Sequence, residues 1–296
     1  MTSSLLARRA GLILAGGGVY IGASGLVYLY LTTGGRNEAD QDSTCCCTHH
    51  NVSSFVNHPE RAQKFEDIAA KYDFLIDYDE MFMGMGLIRR SLLYWHAKGT
   101  VVEVAAGTAR NIAYYPSSTV DRVVLTDSSR QMLQQAKQKV MELQLQRKQK
   151  QQDNNKPQFA LLQADTAKLL DFPDNTFDTV VDTFGLCSFD DPVAALKEME
   201  RVCKPNGKIL LLEHGRSKTW HWITNHLDQN AERHAQNWGC VWNRDLDRMI
   251  QQSGLELDTL HTWHFGTTYY MVCNNSAKTQ MQASKANTKS KGKSKE

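Results

Sequence analysis

The chain has 296 residues, 41% of them hydrophobic, enough to bury one sizeable core and leave room for additional segments. Its net charge of +2 creates no global field of the kind that recruits nucleic acid, so DNA is not an expected partner. Seven cysteines, three of them adjacent at Cys45, Cys46 and Cys47, do not form a disulfide framework, and no ligand pairs stand at zinc spacing, so no metal is expected.

From Ala10 to Gly35 the sequence carries no charge. As a helix this run is about 39 Å long, against about 30 Å for a hydrocarbon core. Six glycines between Gly11 and Gly25 dilute it, although Gly18 and Gly22 stand at a spacing that packs membrane helices closely. Arg8 and Arg9 precede the span and the first acid is Glu38, the composition of a mitochondrial presequence. Residues 1–35 therefore read as a targeting segment and single-pass anchor of the mitochondrial inner membrane. An endoplasmic reticulum or lipid-droplet membrane is the alternative address, and a cleaved secretory signal the rival reading. The positive-inside tendency turns the rest of the chain away from the compartment holding Arg8 and Arg9, toward the intermembrane space.

Residues 36–58 are polar and aperiodic, a linker. Its Cys45-Cys-Cys-Thr-His-His50 run reads as solvated chain, because adjacent thiols wrap a tetrahedral ion poorly. From Pro59 to Trp95 apolar residues recur at helical intervals (Phe65, Ile68, Ala69, Tyr72), which predicts helices ahead of the first strand. Met81, Phe82, Met83 and Met85 form a cluster suited either to core or to an apolar pocket.

Thr100 to Ile112 is the centre of the chain: a buried strand with Glu103 inside it, a turn of small residues (Ala105, Ala106, Gly107, Ala109), then helix-compatible sequence. Small residues let a ligand approach the main chain, and Gly107 can take positive φ. Only Gly107 is glycine, which speaks against the dinucleotide pattern and its NAD-dependent reductases. A second strand ends in Asp127, where nucleoside-binding α/β folds hold a ribose diol. A helix over 129–145 leads into a polar insert, 146–157. Its basic residues lack interleaved aromatics, so RNA is not an expected partner, though the insert leaves it open. Further strands are predicted over Phe159–Asp165, before Asp182, and over Lys208–Glu213. A helix over Pro192–Val202 precedes the last of these, with a tight turn at Lys204-Pro-Asn-Gly207. Repeated alternation of strand and helix predicts a doubly wound, mostly parallel sheet with its ligand at the carboxyl ends of the strands.

Five stretches then make a resemblance specific: Glu103-Val-Ala-Ala-Gly-Thr-Ala109, Leu125-Thr-Asp-Ser-Ser129, Gln163-Ala-Asp165, Phe177-Asp-Thr-Val-Val-Asp182 and Arg201-Val-Cys-Lys-Pro-Asn-Gly207. In this order they resemble the motifs of class I S-adenosylmethionine-dependent methyltransferases, in particular the type 11 group that includes the ubiquinone and menaquinone C-methyltransferases. With its anchor and Asn111-Ile-Ala-Tyr-Tyr-Pro116, the chain is also similar to membrane-bound methyltransferase-like proteins of mitochondria and of the endoplasmic reticulum or lipid droplets. The resemblance covers about Glu66 to Cys273 and implies a seven-stranded Rossmann-like sheet, a methyltransferase domain over 59–273 and S-adenosylmethionine as cofactor. It implies that Glu103 and the Gly107 loop hold the methionyl end, that Asp127 binds the ribose and that Asp165 contacts the adenine. Ala105, Thr108, Ser128, Thr166 and Thr183 belong to the same implied set. The family usually writes E-x-G-x-G-x-G, whereas here Ala105 and Ala109 occupy two glycine positions.

His214 and His221 are the candidate bases on the acceptor side. Trp220, Trp222, Trp238 and Trp242 read as a lid over an apolar acceptor. The resulting expectation is a methyltransferase acting on a lipophilic small molecule at a membrane. The alternative is a mitochondrial cofactor-binding assembly or RNA-maintenance factor, or an RNA or protein methyltransferase, with little turnover. Residues 274–296, with six lysines and one acid, read as a disordered basic tail able to rest on anionic lipid.

Overall fold

The computed structural model of the protein describes residues 58–149, 157–166 and 172–275. The anchor at 1–35, nearly all of the linker, most of the polar insert and the basic tail beyond Asn275 lie outside the described residues. Among those described, no helix is long and apolar enough to cross a membrane.

Two compact units are present, Ile76–Met85 and the described remainder. In the first, Met83 and Gly84 donate to Asp79 O and Met81 O, and Met81 itself is 64% exposed. The second holds the sheet. Helices α1 (His58–Ile68), α2 (Tyr72–Phe82) and α3 (Met85–His96) precede strand β1 (Gly99–Val104). Then follow β2 (Val120–Asp127), α4 (Arg130–Gln149), β3 (Gln158–Gln163), β4 (Phe177–Thr183), α5 (Pro192–Val202) and β5 (Cys203–His214). The chain finishes with α6 (His221–Gln229), α7 (Ala231–Trp238), α8 (Leu246–Ser253), β6 (Glu256–Trp263) and β7 (Thr268–Asn274).

The seven strands form one sheet in the order β3-β2-β1-β4-β5-β7-β6, parallel from β3 through β5, with β7 antiparallel to both its neighbours. Strand alternation divides the core in two. Val102, Val104, Ile209, Leu211, Tyr269 and Met271 pack with α5 and α8 residues such as Leu196, Met199 and Ile250. Val101, Leu210, Leu212, Tyr270 and Val272 pack with Leu92 and Leu93 of α3 and Ala136 and Val140 of α4. Both faces of the sheet are therefore covered, as the near-continuous apolar runs of the parallel strands require.

Local chemistry fixes the helix starts. Asp191 caps α5 by accepting from the Ala194 amide at 2.9 Å, with Pro192 in the first turn. Glu66 of α1 reaches the first amides of α4, Arg130 at 2.8 Å and Gln131 at 3.3 Å, so an acid from another element supplies that cap.

Two expectations are corrected. Lys204–Gly207 is not a free turn: it lies inside β5, where the pairing with β4 shifts register. A Cβ at Gly207 would stand 2.6 Å from Cys203 Sγ and 2.9 Å from Asp178 O, so this close approach needs glycine. The tail also starts later than expected. Asn274 is the last residue of β7, and the buried Asn275 side chain donates to Glu200 O and Cys203 O.

Candidate active site

The loop after β1 is held in the left-handed region three times, at Ala105 (φ 46°), Gly107 (φ 55°) and Ala109 (φ 61°). Two of these are alanines, each with a Cβ where the conformation favours glycine, at a cost of about 1–2 kcal/mol per residue. The loop persists because it is tied on both sides. Ala106 N donates to Thr126 O, and Gly107 N donates to Asp127 Oδ2 at 2.8 Å, while Asp127 Oδ1 accepts from Ser129 N at 2.8 Å. The carboxylate at the tip of β2 thus joins the β1 loop to the start of α4. Burial pushes it up to about 6, against the pull of these amide donors.

Beneath the loop lies a buried polar network. Glu103 accepts from Asn111 Nδ2 at 2.9 Å and from the Tyr115 hydroxyl at 2.6 Å. Thr183 Oγ1 accepts from Arg89 Nη1 at 2.8 Å and Asn111 Nδ2 at 3.0 Å, and Arg89 also donates to Asn111 Oδ1. Burial raises Glu103 to about 7, opposed by the Tyr115 and Asn111 hydrogen bonds. Both oxygens of Glu103 are satisfied within the protein and the residue is 1% exposed, so it supports the loop from below. That position does not match the contact with the methionyl end implied by the resemblance.

The other expected residues divide. Thr108 is turned toward Asp73, to which it donates at 2.6 Å beside Arg110 and Lys139. Ser128 is exposed, and its carbonyl accepts from Gln163, tying the end of β2 to the end of β3. Asp165 is half-buried and Thr166 buried just beyond β3, and Ala164 N donates to Asp127 O at 3.0 Å. Ala105, Gly107, Asp127, Thr183, Asp165 and Thr166 thus all follow or end strands at one edge of the sheet.

Sequence reading missed several groups. Asp182 is fully buried, beside the Gly185 amide and the Glu213 carboxyl. A Cβ placed on Gly185 would lie 2.1 Å from Asp182 Oδ1 and 2.8 Å from Ala105 Cβ, so this carboxyl stands where the turn after β4 meets the loop after β1. Glu213, near the end of β5, accepts from Gly185 N at 3.0 Å and Leu186 N at 3.4 Å. Burial first, and then neighbouring negative charge, raise both acids well above the carboxylate range. The signal for Asp182 was available, since it closes a strand as Asp127 does. Arg89 carried none, and Asn111 stood out only as the first residue of the Asn111–Pro116 stretch.

The two histidines separate. His221 is exposed in the first turn of α6, whereas His214 Nε2 lies 2.9 Å from Cys240 Sγ, with Cys187 in the same cluster. Of the tryptophans, Trp220 and Trp222 are exposed, and Trp242 stacks on His234 at 3.9 Å and donates to Leu227 O.

The strand order, the acid at the tip of β2 and the small-residue loop after β1 together define a Rossmann-like methyltransferase fold. Residues 102–211 match the family model described as a methyltransferase domain. The chain is 37% identical over 221 residues to the mitochondrial methyltransferase OMS1 of Saccharomyces cerevisiae, covering 70% of this chain and 45% of that protein. It is 32% identical over 163 residues to the ubiquinone/menaquinone biosynthesis C-methyltransferase UbiE of Hahella chejuensis, covering 51% and 58%. The chain therefore spans about half the length of these curated relatives. Among solved structures, the DhpI-SAH complex matches with a TM-score of 0.53 at 18% identity, covering 77% of this chain and 98% of that one, a likeness of fold.

Proposed function

We propose that the protein is an S-adenosylmethionine-dependent methyltransferase acting on a lipophilic small molecule at a membrane. One observation carries the cofactor. Asp127, Asp182 and Glu213 stand at or next to the carboxyl ends of β2, β4 and β5. Acids at this edge suit a ligand that bears a sulfonium and an ammonium and no phosphate. In this reading Asp127 accepts from ribose hydroxyls, Asp165 and Thr166 flank the adenine, and the backbone of Ala105–Ala109 approaches the methionyl part. Asp182, buried beside Glu213, would accept from its ammonium. When bound, the cofactor supplies an electrophilic methyl group. The protein aligns the acceptor with it and excludes water, and such alignment accounts for much of the rate.

The lipophilic acceptor and the membrane rest on other support. Leu87, Tyr94 and Trp95 of α3 are 76%, 53% and 72% exposed, and Arg90 and Lys98 are exposed on the same segment. Apolar and aromatic side chains with flanking cations are the composition of a membrane-facing surface. The mitochondrial relative and the apolar run Ala10–Gly35 favour a single-pass protein of the mitochondrial inner membrane. Carbonate extraction that releases the full-length protein would refute the anchor.

A second reading, a cofactor-binding assembly factor with little turnover, is favoured by the strained Ala105 and Ala109. Incubating purified protein with labelled methyl donor and separated mitochondrial lipid, RNA and protein fractions decides between them. Label in lipid supports the proposal, and label in RNA or protein alone overturns it. No label, despite measured cofactor binding, selects the second reading.

A further inference from the structure

Three side chains far apart in sequence meet behind the carboxyl edge of β4 and β5. Cys187 lies on the turn after β4, His214 ends β5, and Cys240 lies between α7 and α8. Their ligating atoms all lie within 4.8 Å of one another, with both cysteines buried and His214 half-buried. We infer that Cys187, His214 and Cys240 form a binding site for zinc(II), independent of the methyltransferase reading.

The donor set is two sulfurs and an imidazole nitrogen, which suits zinc over magnesium or calcium. Zn–S bonds of about 2.3 Å and Zn–N bonds of about 2.0 Å at tetrahedral angles place the donors about 3.5–3.8 Å apart. His214 Nε2 and Cys240 Sγ, now 2.9 Å apart, would separate by roughly half an ångström. The widest pair, no more than 4.8 Å apart, would close by at most about one ångström, within reach of small χ adjustments.

The backbone around the cluster is already fixed. Val241 N donates to Cys187 O at 2.9 Å, joining the two cysteine-bearing loops, and Arg244 donates to Phe189 O at 2.5 Å. Glu213 holds the amides of Gly185 and Leu186, two positions and one position ahead of Cys187, and is the chain neighbour of His214. Such supporting contacts orient metal ligands. Three protein ligands leave a fourth position for water or for an incoming sulfur or oxygen ligand, the arrangement of an open rather than a closed zinc site.

The test uses the full-length protein, purified reduced, depleted of loosely held metal by dialysis and assayed by elemental analysis. About one zinc per chain is expected. The C187A/C240A variant should lose at least about tenfold of it, while C45S/C46S/C47S, which removes the other thiol cluster, keeps it. Cobalt(II) added to the metal-free wild type should give a thiolate-to-cobalt charge-transfer band, which H214A weakens and C187A/C240A abolishes. The wild-type cobalt spectrum does not depend on any variant folding. Absence of both retained zinc and the cobalt band in the reduced wild type overturns the inference. So does zinc retained undiminished in C187A/C240A, or lost only in C45S/C46S/C47S.

Discussion

Gly107 N donates to Asp127 Oδ2 at 2.8 Å, so the acid that ends β2 holds the loop that follows β1. In the proposed binding mode the carboxylate that receives the ribose diol also shapes the loop that the rest of the cofactor would meet. D127N keeps the size and turns one acceptor into a donor facing an amide. Loss of a charge-assisted hydrogen bond worth about 1.5–3 kcal/mol corresponds to roughly a 10- to 150-fold weaker cofactor. Because burial pushes Asp127 up to about 6, wild-type affinity should rise with pH through that value as the carboxylate ionises. Titration calorimetry from pH 5 to 8 checks both, and unchanged affinity in D127N refutes the assignment.

Ala105 sits at φ 46° in the loop after β1. A105G removes a strain of about 1–2 kcal/mol and adds unfolded-state entropy of about 0.4–1 kcal/mol, for a net gain of up to about 1.6 kcal/mol. A109G should gain less, because Ala109 is buried and its methyl contributes to the core. Denaturant melts measure the difference. A105G less stable than wild type would show that the alanine methyl packs better than the backbone is strained.

Glu103 is raised to about 7 from an ordinary value of 4.5, chiefly by burial. The sign follows from linkage. An acid whose folded pKa is raised favours folding fully below about pH 4.5, and that contribution is lost as pH rises through about 7, an effect on the order of 2–3 kcal/mol. E103Q should flatten the stability profile between pH 4.5 and 7 while keeping its acceptor for Asn111. An unchanged slope would place the titration elsewhere.

Asp182 and Glu213 are both raised by burial, and two adjacent buried acids do not both ionise at neutral pH. A cofactor ammonium arriving at Asp182 should therefore expel a proton. Binding enthalpies measured in buffers of different ionisation heat should differ for the wild type and coincide for D182N. Coincidence in the wild type would remove Asp182 from the ammonium site.

Gly185 has no room for a side chain, since an added Cβ would stand 2.1 Å from Asp182 Oδ1. G185A should cost about 1–3 kcal/mol by overpacking, read as a lowered melting midpoint.

The sequence by itself determined the architecture. Apolar runs of five to eight residues separated by helical periods dictate a covered parallel sheet, because such strands cannot leave a face in water. It also marked Asp127 and the Gly107 loop, since an acid closing a strand and a run of small residues are local features. The limits of β5 were not legible and β6 and β7 were not read from the residues: Lys204–Gly207 reads as a turn until its pairing with β4 is known, and Asn274 reads as tail until its pairing with Lys208 is known. Only the tertiary structure decided that Glu103 is enclosed by Asn111 and Tyr115 rather than open to a ligand, and that Ala105 and Ala109 keep left-handed backbone without glycine. It alone brought Cys187, His214 and Cys240 together. Local patterning reports which face of an element is apolar; it carries no information on which residues 26 to 53 positions apart will share a few ångströms of space, because that depends on strand order and on how the loops at the carboxyl edge close over it.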